Sequence, residues 1–491
     1  MIFVVSIIII LAVYSTKLST RLGIPILLVF LMIGIVTGSD ILNLIDFDDM
    51  RLTQEIANLA LVFIIFESGF QLKGSSLRSV LMPAMTLSTL GVIVMTLFMG
   101  TLIHYIIETD WVFSMLIGAI ISSTDASGVI TLLRQNPVRS KVSDTLEVES
   151  VTNDPAAILL TIFMIQLVLH HSADIPFPLI SLIWQLVGGV GVGIGVAWLG
   201  RQLFNHLKSQ LRGNYYILII GLILFSAGLA SLVQANQIIA AFFSGVGMGN
   251  MDFDYKRGIN HFIDGIASFA TICLFLMLGW LVFPSNFISV WHEGILIALA
   301  MIVLARPLMV FLCTLVYRYD WREKAFLAWA GLKGAVPIVL ATYPAAHGLD
   351  DQHYIFNLVF FAVLISLLLQ GLTINPIAGW LRLRIPSQKN VLYSMELFSL
   401  SDTNLEMSEI YIDRTFSIVN RRIASLNLPA NILITTIVRN NKVILPKGHT
   451  QILAEDLVFV LLPKNQIEPF YDIYLNQNRV DDPSGVERTE G

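Results

Sequence analysis

The sequence predicts a polytopic α-helical membrane protein of about thirteen transmembrane helices, with an inverted repeat and two broken, crossing helices, followed by a small cytoplasmic α+β domain. The first observation is composition. Of the 491 residues, 55% are apolar and 13% are charged, against roughly 25% charged in soluble proteins. The second is that apolar windows long enough to cross a bilayer recur along the first 385 positions. The third is a matched pair of polar interruptions, one in each half of the membrane region.

The candidate spans are centred near residues 8, 31, 63, 94, 121, 159, 192, 224, 243, 272, 303, 335 and 367. The first, MIFVVSIIIILAVY, has no basic stretch ahead of it and no small-residue cleavage site after it. We therefore interpret it as a retained span rather than a signal peptide. Cys273 and Cys313 both lie inside apolar runs, which argues against a disulfide framework and against a cysteine-based metal site.

Basic residues are distributed unequally between the connections that join these spans. One set of alternate connections is rich in basic residues and holds Lys17, Arg21, Lys73, Arg78, Arg134, Arg139, Lys141, Arg201, Lys208, Arg212, Lys256, Arg257, Arg318, Arg322, Lys324, Arg382, Arg384 and Lys389. The connections of the other set hold Arg51 as their only basic residue, together with acids such as Asp46 and Glu108. Because cytoplasmic loops are enriched in Lys and Arg, we expect the N-terminus outside and the C-terminus in the cytoplasm.

Two spans are interrupted by residues that disfavour a continuous helix. SSTDASG, residues 122–128, breaks the fifth span, and GLKGAVP, residues 331–337, breaks the twelfth. If spans one to six form a first half and eight to thirteen a second, each break falls in the fifth span of its half. The single linking span inverts the second half. Matched breaks of this kind are typical of inverted-repeat secondary transporters, in which two broken helices meet near the midplane.

A third polar stretch, ESVTNDPAAILL at residues 149–160, supplies a candidate ion site. On a helix, Ser150 and Asp154 share one face, and we expect Thr124 and Asp125 of the broken fifth span to join them. These carboxylate and hydroxyl oxygens suit a monovalent alkali cation. A buried carboxylate needs a neutralising partner, so Asp154 could carry a cation and a proton in turn, which is itself an antiport mechanism.

Four further polar residues are predicted to support that site. Glu149 and Asn153 share the adjacent face of the helix and could bond each other. Arg306 and Lys333 are basic residues within spans, where a charge normally faces a partner or a wet cavity, and either could balance Glu149. The alternatives are an interfacial side chain that snorkels to water for each base and simple interhelical hydrogen bonding for the polar groups.

These motifs resemble a known family. STDAS, ESVTNDPAAI, ARPLMVF and GLKGAVPIVLATYP together resemble the monovalent cation:proton antiporter-1 family, in particular its NhaP-type bacterial members. The resemblance implies that Asp154 is the essential carboxylate and that Thr124, Asp125 and Ser150 complete the cation site. It also implies that Asn153 marks the electroneutral branch and that Glu149 pairs with Arg306. Finally, it implies a homodimer in the bacterial inner membrane that moves its substrate by an elevator motion.

One position departs from the family pattern, which usually has arginine where Lys333 stands. Lysine keeps the positive charge but lacks the planar guanidinium fork. A bidentate role of this position would need that fork.

The region after residue 385 is predicted to be a linker (386–393), a module at 394–466 and a flexible tail (467–491). The module shows short strands, an Asn440-Asn441 hairpin turn and a Pro446-Lys447-Gly448 loop. Its small size favours pairing across a dimer. It resembles the TrkA-C (RCK-C) regulatory domain, so a regulatory nucleotide or cyclic dinucleotide could bind there.

The expected activity is electroneutral exchange of K⁺, with Na⁺ also accepted, for protons, with roles in cation, pH or volume homeostasis. No resident cofactor and no nucleic acid is expected, and the partners are the ions, membrane lipid and a second copy. The main alternative is a sodium-selective antiporter. A more distant one is an RCK-gated channel, which would need a filter such as TVGYG that the sequence lacks. The third is an intramembrane enzyme that uses Asp125 and Asp154 as an acid pair.

Overall fold

The computed structural model describes residues 2–22, 24–47, 49–72, 80–125, 137–169, 176–350, 353–385, 405–412, 416–439 and 442–463, with 128, 129, 133, 466 and 470. The chain divides into two compact units, Met1–Pro386 and Ser387–Gly491. The predicted linker at 386–393 and the predicted tail, apart from Phe470, lie outside the described residues, as do Lys73, Arg78, Arg134 and Lys389.

The first unit is built from helices. They are α1 (Ile2–Leu22), α2 (Ile26–Thr37), α3 (Met50–Gln71), α4 (Leu81–Ile107), α5 (Trp111–Ile120), α6 (Ser140–Leu169), α7 (Pro176–Leu207), α8 (Arg212–Leu232), α9 (Gln237–Asn250), α10 (Lys256–Trp280), α11 (Phe287–Ala300), α12 (Arg306–Cys313), α13 (Trp321–Trp329), α14 (Ala335–Ala346) and α15 (Tyr354–Trp380). Within the described ranges, eight helices are long and apolar enough to cross a membrane, and shorter apolar helices accompany them. The predicted polytopic helical architecture is confirmed.

Both predicted interruptions are present as gaps between helices. α5 ends at Ile120 and residues 123–125 continue without helical structure, while residues 331–334 separate α13 from α14. The two non-helical segments meet, because the Asp125 amide donates to the Leu332 carbonyl at 2.7 Å. Irregular backbone at membrane depth needs partners of this kind, since lipid offers none.

Glycines allow the second broken segment to pack closely against its neighbours. A Cβ atom on Gly334 would lie 2.8 Å from Cγ of Asp125, and one on Gly331 would lie 2.7 Å from Cζ of Arg306. Either contact is closer than packed atoms allow. The two glycines of GLKGAVP therefore interrupt the helix and also make room for two charged side chains.

The second unit contains a four-stranded antiparallel sheet of β1 (Leu405–Tyr411), β2 (Leu433–Arg439), β3 (Lys442–Ile444) and β4 (Leu457–Pro463), in the order β1-β4-β2-β3. Arg439 pairs with Lys442 across β2 and β3. The predicted Asn440-Asn441 turn between these two strands lies outside the described residues. The predicted Pro446-Lys447-Gly448 loop forms a turn in which the Thr450 amide donates to the Lys447 carbonyl at 2.8 Å.

An ion pair fixes β2 to the loop that precedes β4. Both Nε and Nη2 of Arg439 donate to the buried Asp456 carboxylate at 2.7 Å. These bonds raise the pKa of Arg439 above its ordinary value. The pair is bidentate, and β2 and β4 contribute Ile437 and Val460 to the apolar core of this unit.

Candidate functional site

One face of α6 lines a large cavity in the first unit. Glu147, Ser150, Val151 and Asp154 all border it, and their spacing of three, four and seven residues places them on one side of the helix. The cavity has a volume of about 620 Å³. Pro155 follows within the helix, and because proline has no amide hydrogen, the Val151 carbonyl lacks its usual helical donor.

The broken fifth span forms a second wall of this cavity. Ser123 and Asp125 border it beside Asp154, and the Ser123 hydroxyl donates a hydrogen bond to Oδ1 of Asp154. The carboxylates of Asp154 and Asp125 and the side chains of Ser123 and Ser150 therefore border one cavity. Such hard oxygen donors are the ligands that alkali cations take.

Thr124, which was predicted to be a cation ligand, bonds α6. Its carbonyl accepts from the Ser150 hydroxyl at 3.1 Å, and its own hydroxyl accepts from the Asn153 amide at 2.5 Å. Thr124 is not among the residues that line the cavity. The structure thus brings Asp154, Asp125 and Ser150 together at the cavity and uses Thr124 to hold the broken segment on α6.

The predicted bond between Glu149 and Asn153 is wrong. The Asn153 amide donates to Thr124, while the Glu149 carboxylate accepts both terminal nitrogens of Arg306, at 2.6 and 3.0 Å. Helical spacing permits a bond between Glu149 and Asn153, but the charge-assisted, bidentate bond from Arg306 on α12 is stronger and prevails.

Glu149 and Arg306 are among the most deeply buried charges in the described part of the chain. Their side chains are 1% and 2% exposed, so Arg306 is not an interfacial side chain. A π-helical turn, Met301–Ala305, immediately precedes Arg306. Single π-turns within helices are frequent at functional sites, and this one comes directly before the residue that meets α6.

Lys333 does not balance Glu149 by direct contact. Its ammonium group is buried and donates to the carbonyls of Ser122 and Ser123, at 3.2 and 2.9 Å. These carbonyls lie just beyond the C-terminal end of α5, where the helix leaves backbone acceptors without partners. Lys333, in the second break, therefore donates to carbonyls of the first break. In the Asp125–Leu332 bond, by contrast, the first break donates to the second.

Several residues that border the cavity are not predicted from the sequence. Ser123 lies within the SSTDASG motif, but an unwound segment has no periodicity to show which side chain faces inward. Glu67 on α3 and Asp264 on α10 face the cavity together with Glu147. An acid near the end of a span resembles an interfacial residue in the sequence, and only the packing of α3 and α10 against α6 brings the three together.

Comparison with known proteins gives a consistent set of similarities. The model of the family described as sodium/hydrogen exchanger, transmembrane, matches residues 6–380, and that of the TrkA-C domain matches residues 407–474. A K(+)/H(+) antiporter NhaP2 from Shewanella sp. (strain ANA-3) is 33% identical over 468 residues, covering 94% of this chain and 81% of the relative. A K(+)/H(+) antiporter NhaP from Alkalimonas amylolytica is 31% identical over 466 residues, 94% of this chain and 80% of the relative.

The fold is also found in a solved structure. The sodium proton antiporter MjNhaP1 from Methanocaldococcus jannaschii, determined at pH 8, superposes with a TM-score of 0.68. The match has 24% sequence identity and covers 77% of this chain and 98% of the other. At that identity the similarity concerns the fold.

Proposed function

Because the chain belongs to the transmembrane sodium/hydrogen exchanger family and carries a TrkA-C domain, we propose that it exchanges K⁺ for protons at Asp154. It is a membrane-spanning monovalent cation/proton antiporter and not an enzyme. The observation that carries the proposal is the position of Asp154, which faces the cavity with Asp125, Ser123 and Ser150 around it.

The chemistry of the proposal is competition for one carboxylate. A cation that enters the cavity binds Asp154, with Asp125, Ser150 and the free carbonyl of Val151 as further oxygen donors. When the cation leaves, a proton neutralises Asp154 in its place, because an isolated buried carboxylate is strongly disfavoured. The elevator motion of alternating access would then move the site across the membrane when either ion is bound. It would not move the site when Asp154 is charged and has no ion bound.

Two features support K⁺ and electroneutral exchange. The two relatives from Shewanella and Alkalimonas are both described as K(+)/H(+) antiporters. Asn153 stands beside Asp154 and contributes no charge, and its amide is engaged by Thr124. With one exchanging carboxylate, one monovalent cation is traded for one proton. Acceptance of Na⁺ is part of the same proposal, and a sodium-selective exchanger is its main competitor.

The proposal is tested by proton flux in proteoliposomes loaded with a pH-sensitive dye. Addition of K⁺ should move protons, Na⁺ should do so less strongly, and a large organic cation such as choline should have no effect. A response to Na⁺ alone would select the sodium-specific alternative. An ionic current without coupled proton movement would select a channel, and cleavage of a transmembrane peptide would select the intramembrane enzyme.

The other acidic residues that border the cavity give one prediction. Glu147, Glu67 and Asp264 add three carboxylates to the cavity that holds Asp154, and a cavity lined by one sign of charge concentrates counter-ions. We expect Glu147→Gln to raise the K⁺ concentration for half-maximal exchange about three- to tenfold at low ionic strength, with the maximal rate preserved. Adding an impermeant salt should narrow the difference, because salt screens such steering.

The matched control for that prediction is Glu108→Gln. Glu108 ends α4 and is not among the residues that border the cavity. Its replacement should leave the concentration dependence unchanged. An equal effect of both variants, or an effect of Glu147→Gln that persists at high salt, would argue against steering by the cavity acids.

The TrkA-C domain is proposed to control the exchanger. An unregulated exchange of K⁺ for protons would drain a cell of K⁺, so a cytoplasmic controlling domain suits a K⁺ exporter. We propose that residues 394–466 inhibit transport until the cytoplasmic pH changes or a nucleotide or cyclic dinucleotide binds to them. The proposed transporter is a homodimer, and the N-terminus of each chain lies outside the cell. The cell membrane of a bacterium is the proposed location.

Truncation after Gln388 tests this control. The truncated protein should keep K⁺-driven proton flux and lose the dependence of that flux on cytoplasmic pH and on added nucleotide. Full-length and truncated proteins are compared in the same vesicle preparation. If the truncated form kept the full response of the intact chain, the regulatory role of residues 394–466 would have to be abandoned.

A further inference from the structure

The cavity beside Asp154 reaches one end of the helical unit and stops before the other. On α3 its lining runs from Leu61 to Gln71, the exposed last residue of the helix. On α14 only Ala335, Val336 and Pro337 border it. The remainder of α14 up to Pro344 is buried, so the second half of α14 lies within the closed part of the protein.

A polar contact joins α3 and α14 immediately beyond the closed end. The Tyr343 hydroxyl donates to Oδ1 of Asn58 at 2.6 Å. Asn58 lies three residues before Leu61, which is where the cavity lining on α3 begins. Tyr343 is 6% exposed. Ala57, next to Asn58 on α3, and Thr53, five residues before Asn58, are completely buried.

We propose that the Tyr343–Asn58 hydrogen bond is a latch that keeps this end closed while the cavity is open at the other. The proposal rests on the proposed alternating-access exchange. The second broken segment, residues 331–334, meets Asp125 and continues directly into α14, and α3 lines the same cavity. If Asp154 is to face the other side of the membrane, these two helices must separate where Tyr343 and Asn58 meet.

A neutral hydrogen bond suits this task. A typical neutral hydrogen bond changes an equilibrium by about two- to twelvefold, which is enough to favour one state without trapping it. A buried ion pair at the same place would be far more difficult to separate in every cycle. Tyr343 and Asn58 are therefore positioning residues, which set the populations of the two states rather than bind the ion.

The test measures how often the closed end opens. Val339 lies one helical turn before Tyr343 and is completely buried. A Val339→Cys reporter, in a background with Cys273→Ala and Cys313→Ala, is labelled by an impermeant maleimide from the side opposite the cavity mouth, in full-length protein in vesicles. Tyr343→Phe should increase the labelling rate about fivefold, because it removes the hydroxyl and keeps the ring.

Two further variants separate a latch from a general loosening of the fold. Asn58→Ala should increase labelling to the same extent, and its combination with Tyr343→Phe should add nothing, because both remove one bond. Tyr317→Phe is the matched control, since its hydroxyl lies 2.7 Å from the Thr86 hydroxyl, between other elements. It should leave labelling unchanged.

Unchanged labelling in both Tyr343→Phe and Asn58→Ala, or additive effects in the double variant, would overturn the latch. So would an equal increase in Tyr317→Phe. A failure of the proposed function is recognised separately, as the absence of K⁺- or Na⁺-driven proton flux in the unmodified chain. Labelling does not depend on that flux, so the two outcomes cannot be confused.

Discussion

Asp154→Asn is expected to abolish both K⁺ uptake and proton release, a loss of at least about a hundredfold, which is the scale expected when a group that the reaction requires is removed. Asparagine keeps the size of the side chain and can still accept from the Ser123 hydroxyl. It cannot carry a negative charge or exchange a proton. The loss should therefore affect both ions together, and the protein should keep its helical content and its melting temperature.

Asp125→Asn is the comparison that makes this result specific. Asp125 borders the same cavity, and the bond of its amide to the Leu332 carbonyl does not depend on the side chain. We expect this variant to retain weak exchange with a raised K⁺ requirement, because one oxygen ligand is altered while the exchanging carboxylate remains. Normal exchange by purified Asp154→Asn in liposomes would refute the assignment.

The second large effect is on stability rather than transport. Glu149→Gln leaves the Arg306 guanidinium buried, 2% exposed, without a counter-charge. Breaking a buried ion pair by removing one partner costs about 3–5 kcal/mol in known cases. We expect a melting temperature many degrees below that of the unmodified protein in detergent, and a similar decrease for Arg306→Gln.

The chain offers as control an ion pair in which only the basic partner is exposed. Arg139 lies 3.2 Å from Glu323, but its side chain is 53% exposed. Such pairs contribute roughly 0–1 kcal/mol, so Arg139→Gln should change the melting temperature little. Equal melting temperatures for Glu149→Gln and the unmodified protein would contradict a structural role for the Glu149–Arg306 pair.

Most of the helical architecture was predictable because lipid restricts the composition of a span. Apolar windows gave the positions of the helices, and glycine, proline and hydroxyl residues located both breaks. The arrangement within the breaks was not predictable. SSTD offers three hydroxyls next to one acid, and the sequence does not show that Ser123, rather than Thr124, turns toward Asp154.

Contacts between distant elements were the second limit. The resemblance implied the Glu149–Arg306 pair, which the structure contains. The residues alone left Glu149 equally able to bond Asn153. Lys333 was one of the two bases that could balance Glu149, because a charge in a span normally faces a partner or a wet cavity. The Lys333 ammonium group instead bonds the Ser122 and Ser123 carbonyls, which follow the end of α5. No pattern in the sequence shows where the end of a broken helix lies in space.

The central claim is that one carboxylate trades one cation for one proton. The most direct measurement is the null point of exchange in proteoliposomes, at which an imposed pH gradient stops net K⁺ movement. Exchange at Asp154 predicts a null when the K⁺ and proton concentration ratios across the membrane are equal, whatever membrane potential a permeant organic anion imposes. A null point that moved with the membrane potential, or K⁺ movement that no pH gradient could stop, would contradict the claim.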